Sequence, residues 1–364
     1  MKSLFSMCVT LLVITGHASF WQLGTPLPET RSRAAGAIIG DDFYLMGGDR
    51  ETGGVRPREA YKYHIPTGTW SPIADLPDIG VGLGGVSNLQ AAAVGTKIYL
   101  PGGWDGANSH DRMAIYDTVT DSWSLGPAMP STAMTHSVTA VGTDVYILAG
   151  ESRVGGVPEP RFSQRYDTVT GAYTQVPATG SSFTHGPAGN YGGATSIDGK
   201  VVYVAGNVLA GGYENLIFDP STGVWDRIQT LGYYRVGHGL FNWNGRAYLV
   251  GGRTADFGQN LFGYFPTTLV TDGYPNFFGH WEAGPNLNVG ATMLAYAGNE
   301  RWFVKVGGFN PESTRPSAYL DVVEVMAVPE PAAFAVLTIG LLGLILRRNK
   351  TRCTYSRSEP DKRH

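Results

Sequence analysis

Cysteine is nearly absent from this chain: of 364 residues only Cys8 and Cys353, one near each end, are cysteines. No disulfide framework can hold the body of the chain together, and no thiol is available there as nucleophile or metal ligand. The eight histidines (His17, His64, His110, His136, His185, His238, His280 and His364) stand singly, none paired at zinc-type spacing. Neither a metal centre nor a cofactor is therefore expected. Charge is also scarce, at 16% of residues with a net charge of −3, which gives no support to a nucleic-acid partner. Long apolar runs are few. Residues 332–346 carry no charge, but these fifteen residues would make about 22 Å of helix against roughly 30 Å of membrane hydrocarbon.

Glycine, by contrast, is plentiful: 50 residues, about twice the usual share, alongside 12% aromatics. That composition suits an all-β protein with many turns. A repeat organises it. The doublets Gly47-Gly48, Gly102-Gly103, Ala149-Gly150, Ala205-Gly206, Gly251-Gly252 and Gly307-Gly308 recur at spacings that alternate between 46–47 and 55–56 residues. A second marker keeps step: Tyr63 and Trp70, Tyr116 and Trp123, Tyr166 and Tyr173, and Phe218 and Trp225 are each seven apart. The stretch Tyr116-Asp117-Thr118-Val119-Thr120 returns letter for letter at residues 166–170.

Each unit reads as four short strands. The doublet permits a sharp exit from the second strand where a side chain would clash or φ must be positive. Asp167 to Gly171 and Asp219 to Gly223 supply turn chemistry between the third and fourth strands. The closing aromatic buries an apolar face between neighbouring units. This pattern resembles the kelch repeat over residues 21–325, which implies a six-bladed β-propeller. The segment around Trp21 looks like a fourth strand without its first three, and the sixth unit ends after a third. The two should pair and close the circle, leaving no open edge. Unit five departs from the template: Tyr264 and Trp281 are seventeen residues apart, and the insertion carries Tyr274, Phe277 and Phe278.

The ends read as export signals. Lys2, the apolar residues 7–14 and Gly16-His17-Ala18 resemble a secretory signal peptide, so residues 1–18 are expected to be removed. At the other end Val328-Pro329-Glu330-Pro331, the uncharged run 332–346 and Arg347-Arg348-Asn349-Lys350 resemble a PEP-CTERM sorting signal over 328–350. The resemblance implies processing by exosortase and a bacterial protein of the envelope or extracellular matrix. Before cleavage the segment 332–346 would anchor it in the inner membrane, with the basic tail 351–364 in the cytoplasm. The propeller would occupy 19–327.

An antiparallel meander puts the start of strand one and the end of strand two at one end of a blade. The loops after the doublets therefore share a face with the links between units. Asp49, Trp104, Glu151, Asn207, Arg253 and Phe309 stand just past the doublets on that face. Arg33, Arg153 and Arg235 lie in the same loops or links, and arginine beside exposed aromatic is the composition of a recognition surface. Trp104, Arg153, Arg235, Arg253 and Arg33 are thus the candidate ligand-binding residues. Trp104 can stack on a sugar, and Arg253 with Arg235 can hold a carboxylate or sulfate. No catalytic residues can be named. His136 and His238, at the starts of first strands, match a structural histidine of kelch repeats. A copper radical oxidase is set aside, because it needs a cysteine in the repeats. The reading is an exported binding module for a polysaccharide or surface protein. The alternative is a carbohydrate-active propeller enzyme, such as one similar to the sialic acid mutarotases; that chemistry needs a convergent acid and base in the central pocket.

Overall fold

A computed structural model describes residues 21–51, 56–79, 84–177, 189–206, 215–228, 235–243, 245–253, 285, 287–311 and 317–328. The chain runs through β1 (Gln22–Leu23), β2 (Ala35–Ile39), β3 (Asp42–Met46), β4 (Ala60–His64) and β5 (Thr69–Ile73). β6 (Ala92–Val94), β7 (Lys97–Pro101), β8 (Met113–Asp117) and β9 (Ser122–Leu125) follow. The third unit holds β10 (Ser137–Val141), β11 (Asp144–Leu148), β12 (Arg153–Val154), β13 (Val157–Pro158), β14 (Gln164–Asp167) and β15 (Tyr173–Gln175). Next come β16 (Gly193–Ile197), β17 (Lys200–Val204), β18 (Asn215–Asp219) and β19 (Val224–Ile228). The last are β20 (Val236–Trp243), β21 (Arg246–Arg253), β22 (Ala295–Gly298), β23 (Trp302–Val306) and β24 (Val323–Ala327).

These strands form five four-stranded antiparallel blades: β2 to β5, β6 to β9, β10-β11-β14-β15, β16 to β19, and β22-β23-β24-β1. The two-stranded sheet β20-β21 packs between β16 and β22. The protein is a β-propeller, all-β among the described residues. The aromatic insertion of unit five and residues 332–346 lie outside the described residues. Within those residues, no helix is long and apolar enough to cross a membrane.

Apart from its first residue, and from Lys305 in the last unit, the second strand of each unit reads as apolar sequence up to the doublet because a blade is covered on both faces. Val201, Val202, Tyr203 and Val204 are all fully buried. The core is accordingly split into seams between blades. One joins Tyr44 and Met46 to Ile98 and Leu100; another joins Leu45 and Phe43 to Val304 and Val306. The seven-residue marker becomes a cross-strand pair: Tyr63 and Trp70 stand opposite in register with ring centroids 4.8 Å apart, and Phe218 and Trp225 are 4.9 Å apart. The closing aromatic also ties its blade to the one before. Trp123 Nε1 donates to the Ala74 carbonyl at 2.8 Å, Trp225 Nε1 to Pro177 at 2.8 Å and Trp70 Nε1 to Thr25 at 3.1 Å.

The turn residues act as their chemistry requires. Asp167 Oδ1 accepts from the amides of Val169 and Thr170, and Gly171, at φ +74°, returns its amide to the Asp167 carbonyl at 2.8 Å. In the doublet, Gly102 has φ +62° and a Cβ there would lie 2.2 Å from the Ala133 carbonyl oxygen, so only glycine fits. The Gly155-Gly156 break turns out to be the tip of the hairpin β12-β13, both glycines having positive φ.

The orphan N-terminal strand pairs antiparallel with β24, Gln22 opposite Val325 and Leu23 opposite Glu324. Trp21 is buried, 6.4 Å from the Phe241 ring. A buried charge network lies beneath this junction. Glu324 accepts from the Asn288 amide at 2.6 Å, the Val289 amide at 3.0 Å and Lys305 Nζ at 3.3 Å. Asn288 Nδ2 in turn donates to the Trp21 carbonyl at 2.8 Å.

Candidate functional site

The links between units converge on a circle of backbone hydrogen bonds. Arg33, Asn88, Thr135, Tyr191 and Met293, each shortly before a first strand, have φ between +54° and +60°, and Gly237 has +67°. Each carbonyl in this set accepts from the next link. The amides of Thr135, Tyr191, Gly237, Met293 and Arg33 donate to Asn88, Thr135, Tyr191, Gly237 and Met293 at 2.8 to 2.9 Å. The Leu89 amide closes the circle on the Arg33 carbonyl at 3.3 Å. A left-handed backbone costs a non-glycine residue roughly 1 kcal/mol or more, most for β-branched Thr135, and the ring of bonds offsets it.

Against this circle lies a cavity of about 30 Å³, lined by Gln90, His136, Tyr191, His238 and Tyr296 among others. It has room for an ordered water or two. Neither ring nitrogen of His136 has a protein partner, while His238 Nδ1 donates to the Arg235 carbonyl at 2.9 Å. Burial pushes His136 down to about 4. Burial, helped by the Arg235 charge, pushes His238 down to about 3 against the opposing pull of backbone hydrogen bonds. Both are neutral at ordinary pH.

The loops above hold a continuous polar network. Arg33 Nη1 lies 3.2 Å from Asp49 Oδ2, and Arg56 Nε 3.3 Å from Asp49 Oδ1. Arg56 Nε also reaches Ser87 Oγ at 3.2 Å, and its Nη1 reaches the Asp105 carbonyl at 3.0 Å. Burial would lower the Arg33 guanidinium, but Tyr191 and Asp49 outweigh it and raise its pKa above the ordinary value. Tyr191 donates its hydroxyl to Asn88 Oδ1 at 3.0 Å. The neighbouring Asn190 Nδ2 donates to Glu151, whose other oxygen takes Arg153 Nε at 2.7 Å. Beside them His110 Nε2 meets Asp105 Oδ2 at 3.0 Å. Burial would raise the Asp105 carboxyl, but the amides of Asn108 and Ala107 and the ring of His110 hold it below its ordinary range.

The structure brings together three of the five candidate residues. Trp104 is half-buried and bridges Ser87 through both of its backbone groups, beside the Arg56 contact. Arg33 and Arg153 stand in the network itself. Arg253 is half-buried at the end of β21, opposite Val236. Arg235 is a correction: it has no exposed surface, and its Nη1 donates to the Gly251 carbonyl at 3.2 Å. It braces the strand exit and is not available to hold a ligand anion with Arg253. Sequence reasoning passed over Tyr191, Asn88 and Asn190. Their signal was positional, since each lies in the link that precedes a first strand.

Strands, seams and loop-lined axis together define a kelch-type β-propeller. The chain matches the KLHDC2/KLHL20/DRC7 Kelch-repeats domain over residues 33–252 and belongs to that family. Among curated proteins it is similar to an N-(sulfonatooxy)prop-2-enimidothioate sulfolyase of Thlaspi arvense, 29% identical over 234 residues, 58% of this chain and 66% of that protein. It is also similar to the Kelch-like protein terF of Aspergillus terreus, 27% identical over 176 residues, 44% of this chain and 37% of that one. Kelch-like protein 25 of Xenopus tropicalis is 27% identical over 110 residues, 30% of this chain and 17% of that one. The chain thus spans less than two thirds of each relative. The fold is that of a binding or scaffold module.

Proposed function

We propose that this chain is an exported bacterial binding module, a six-bladed propeller that takes a polysaccharide or surface protein on the face formed by the loops after the doublets. The observation that carries the reading is the polar network around Trp104, Arg33 and Arg153, where loops distant in sequence meet at one end of the axis. The circle of six inter-unit links supports six blades, with β20-β21 as the inner half of the remaining one. Export rests on the sequence of residues 1–18. Sorting rests on Val328, Pro329, Glu330 and Pro331, the run 332–346 and the basic Arg347 and Arg348, with exosortase as the processing partner and the inner membrane as a temporary anchor. Arg253 remains a candidate at the edge of the site.

Two measurements test this. Mature protein recovered from its own host is expected to lack the basic tail, so intact mass including His364 on exported protein would remove the sorting proposal. Trp104→Ala is expected to weaken binding to polysaccharide extracted from the host matrix, and unchanged affinity would remove the proposed face. A second reading, an enzyme acting at the axis, has one observation in its favour, the lyase among the relatives. Set against it, the axial cavity at the ring is water-sized.

A further inference from the structure

We infer that the ligand of this face is a neutral, hydroxyl-rich glycan, not an acidic or sulfated one. The inference rests on the proposed binding face and narrows what it takes. The sequence shows arginines in these loops, and arginines alone suggest an anion. The structure shows that each arginine of the network already has its carboxylate. Arg33 and Arg56 share Asp49, and Arg153 holds Glu151. Two carboxylates thus hold the three guanidiniums, and a third, Asp105, lies in the same network paired with His110.

An incoming carboxylate or sulfate at Arg33 would meet the Asp49 charge, bound to the same guanidinium 3.2 Å away. Like charges brought together at a partly buried site repel, and Asp49 has little exposed surface from which to be screened. The anion would have to displace a built ion pair and gain little. A hydroxyl meets no such conflict, because it donates and accepts at once. The network offers both roles side by side: the half-exposed Arg153 guanidinium donates, while the carboxylates and the amide oxygen of Asn88 accept. Trp104 is half-buried and its backbone is bonded to Ser87, the Arg56 partner, so this face carries an aromatic residue against which the apolar face of a sugar can lie. Fixed partners also keep the arginine side chains ordered before binding, which lowers the entropic cost of association.

The test is affinity electrophoresis of the mature protein in gels containing dextran, laminarin or galactomannan, and in gels containing polygalacturonate or dextran sulfate. The expected result is retardation by at least one neutral polymer, unchanged between about 0.1 and 1 M salt, where the screening length falls from roughly 10 to 3 Å. Trp104→Ala should lose about tenfold in that affinity, the equivalent of about 1.4 kcal/mol. Glu151→Gln and Asp49→Asn unmask arginines, and each is expected to create salt-sensitive retardation by polygalacturonate that the unmodified protein lacks. Two variants guard against one failing to fold. If the unmodified protein is retarded by the acidic polymers and released by salt, the inference is overturned while the binding face stands. If no polymer of either kind retards it, the glycan reading itself is overturned.

Discussion

Removing the charge of Lys305 tests how the propeller is locked at its junction. Lys305 occupies the position two residues before a doublet glycine, where the other units place Leu45, Leu100, Ile147, Tyr203 and Leu249. Its ammonium and the Glu324 carboxylate have no exposed surface and lie 3.3 Å apart. Lys305→Met leaves that carboxylate buried with its amide donors but without its counter-ion, which typically costs about 3–5 kcal/mol. Glu324→Gln does the reverse, stranding the ammonium and loosening Asn288, whose amide holds the Trp21 carbonyl. The double variant buries no net charge. It is expected to be more stable than the sum of the singles predicts, with a coupling of about 2 kcal/mol. Urea unfolding of the four proteins measures this, and because the pair is shielded the coupling should survive high salt. If Lys305→Met unfolds at the same urea concentration as the parent, or the two losses simply add, the pair does not lock the junction.

Other perturbations address separate seams. Trp21→Ala removes a buried ring from the closing strand and should cost about 3–5 kcal/mol by urea unfolding; an unchanged midpoint would place Trp21 outside the fold. Trp225→Phe keeps most of the apolar contact but loses the Nε1 bond to Pro177, for about 1 kcal/mol, far less than Trp225→Ala, and an unchanged urea midpoint for Trp225→Phe would mean the bond is not what ties the blades. Acid should destabilise the protein through His136 and His238. In the unfolded chain they protonate as pH falls below about 6.5, whereas in the fold they resist until about 4 and about 3. Stability is therefore full above pH 6.5 and declines through that window, and His136→Gln should flatten the melting temperature against pH there. Equal slopes for the variant and its parent would assign the acid response to other groups.

Periodicity was enough to read the blades. Residues seven apart across an Asp-x-x-x-Gly turn can only face each other, so Tyr166 and Tyr173 or Phe218 and Trp225 declare a strand pair from spacing alone. The missing fourth strand of the last unit and the surplus one around Trp21 likewise declared their partnership, because an unpaired edge is costly and only one segment could cover it. Turn chemistry did the same for Gly199, whose hairpin pairs Ile197 with Lys200.

The site was legible only as a face. Sequence order placed Arg33, Trp104 and Arg153 at one end of the blades, yet it treated every arginine there as equivalent. Tertiary structure separated them: Arg235 turns inward to the Gly251 carbonyl, while Arg33 and Arg56 converge on one carboxylate from different loops. The physical reason is range. Strand pairing and turns are set by residues a few positions apart, whose geometry repeats in every unit. Which charge meets which is set by contacts between loops 16 to 50 residues apart, such as Arg33 with Asp49 and Arg56 with the Asp105 carbonyl. Nothing in the repeat dictates those pairs until the propeller has closed and brought the loops to one axis.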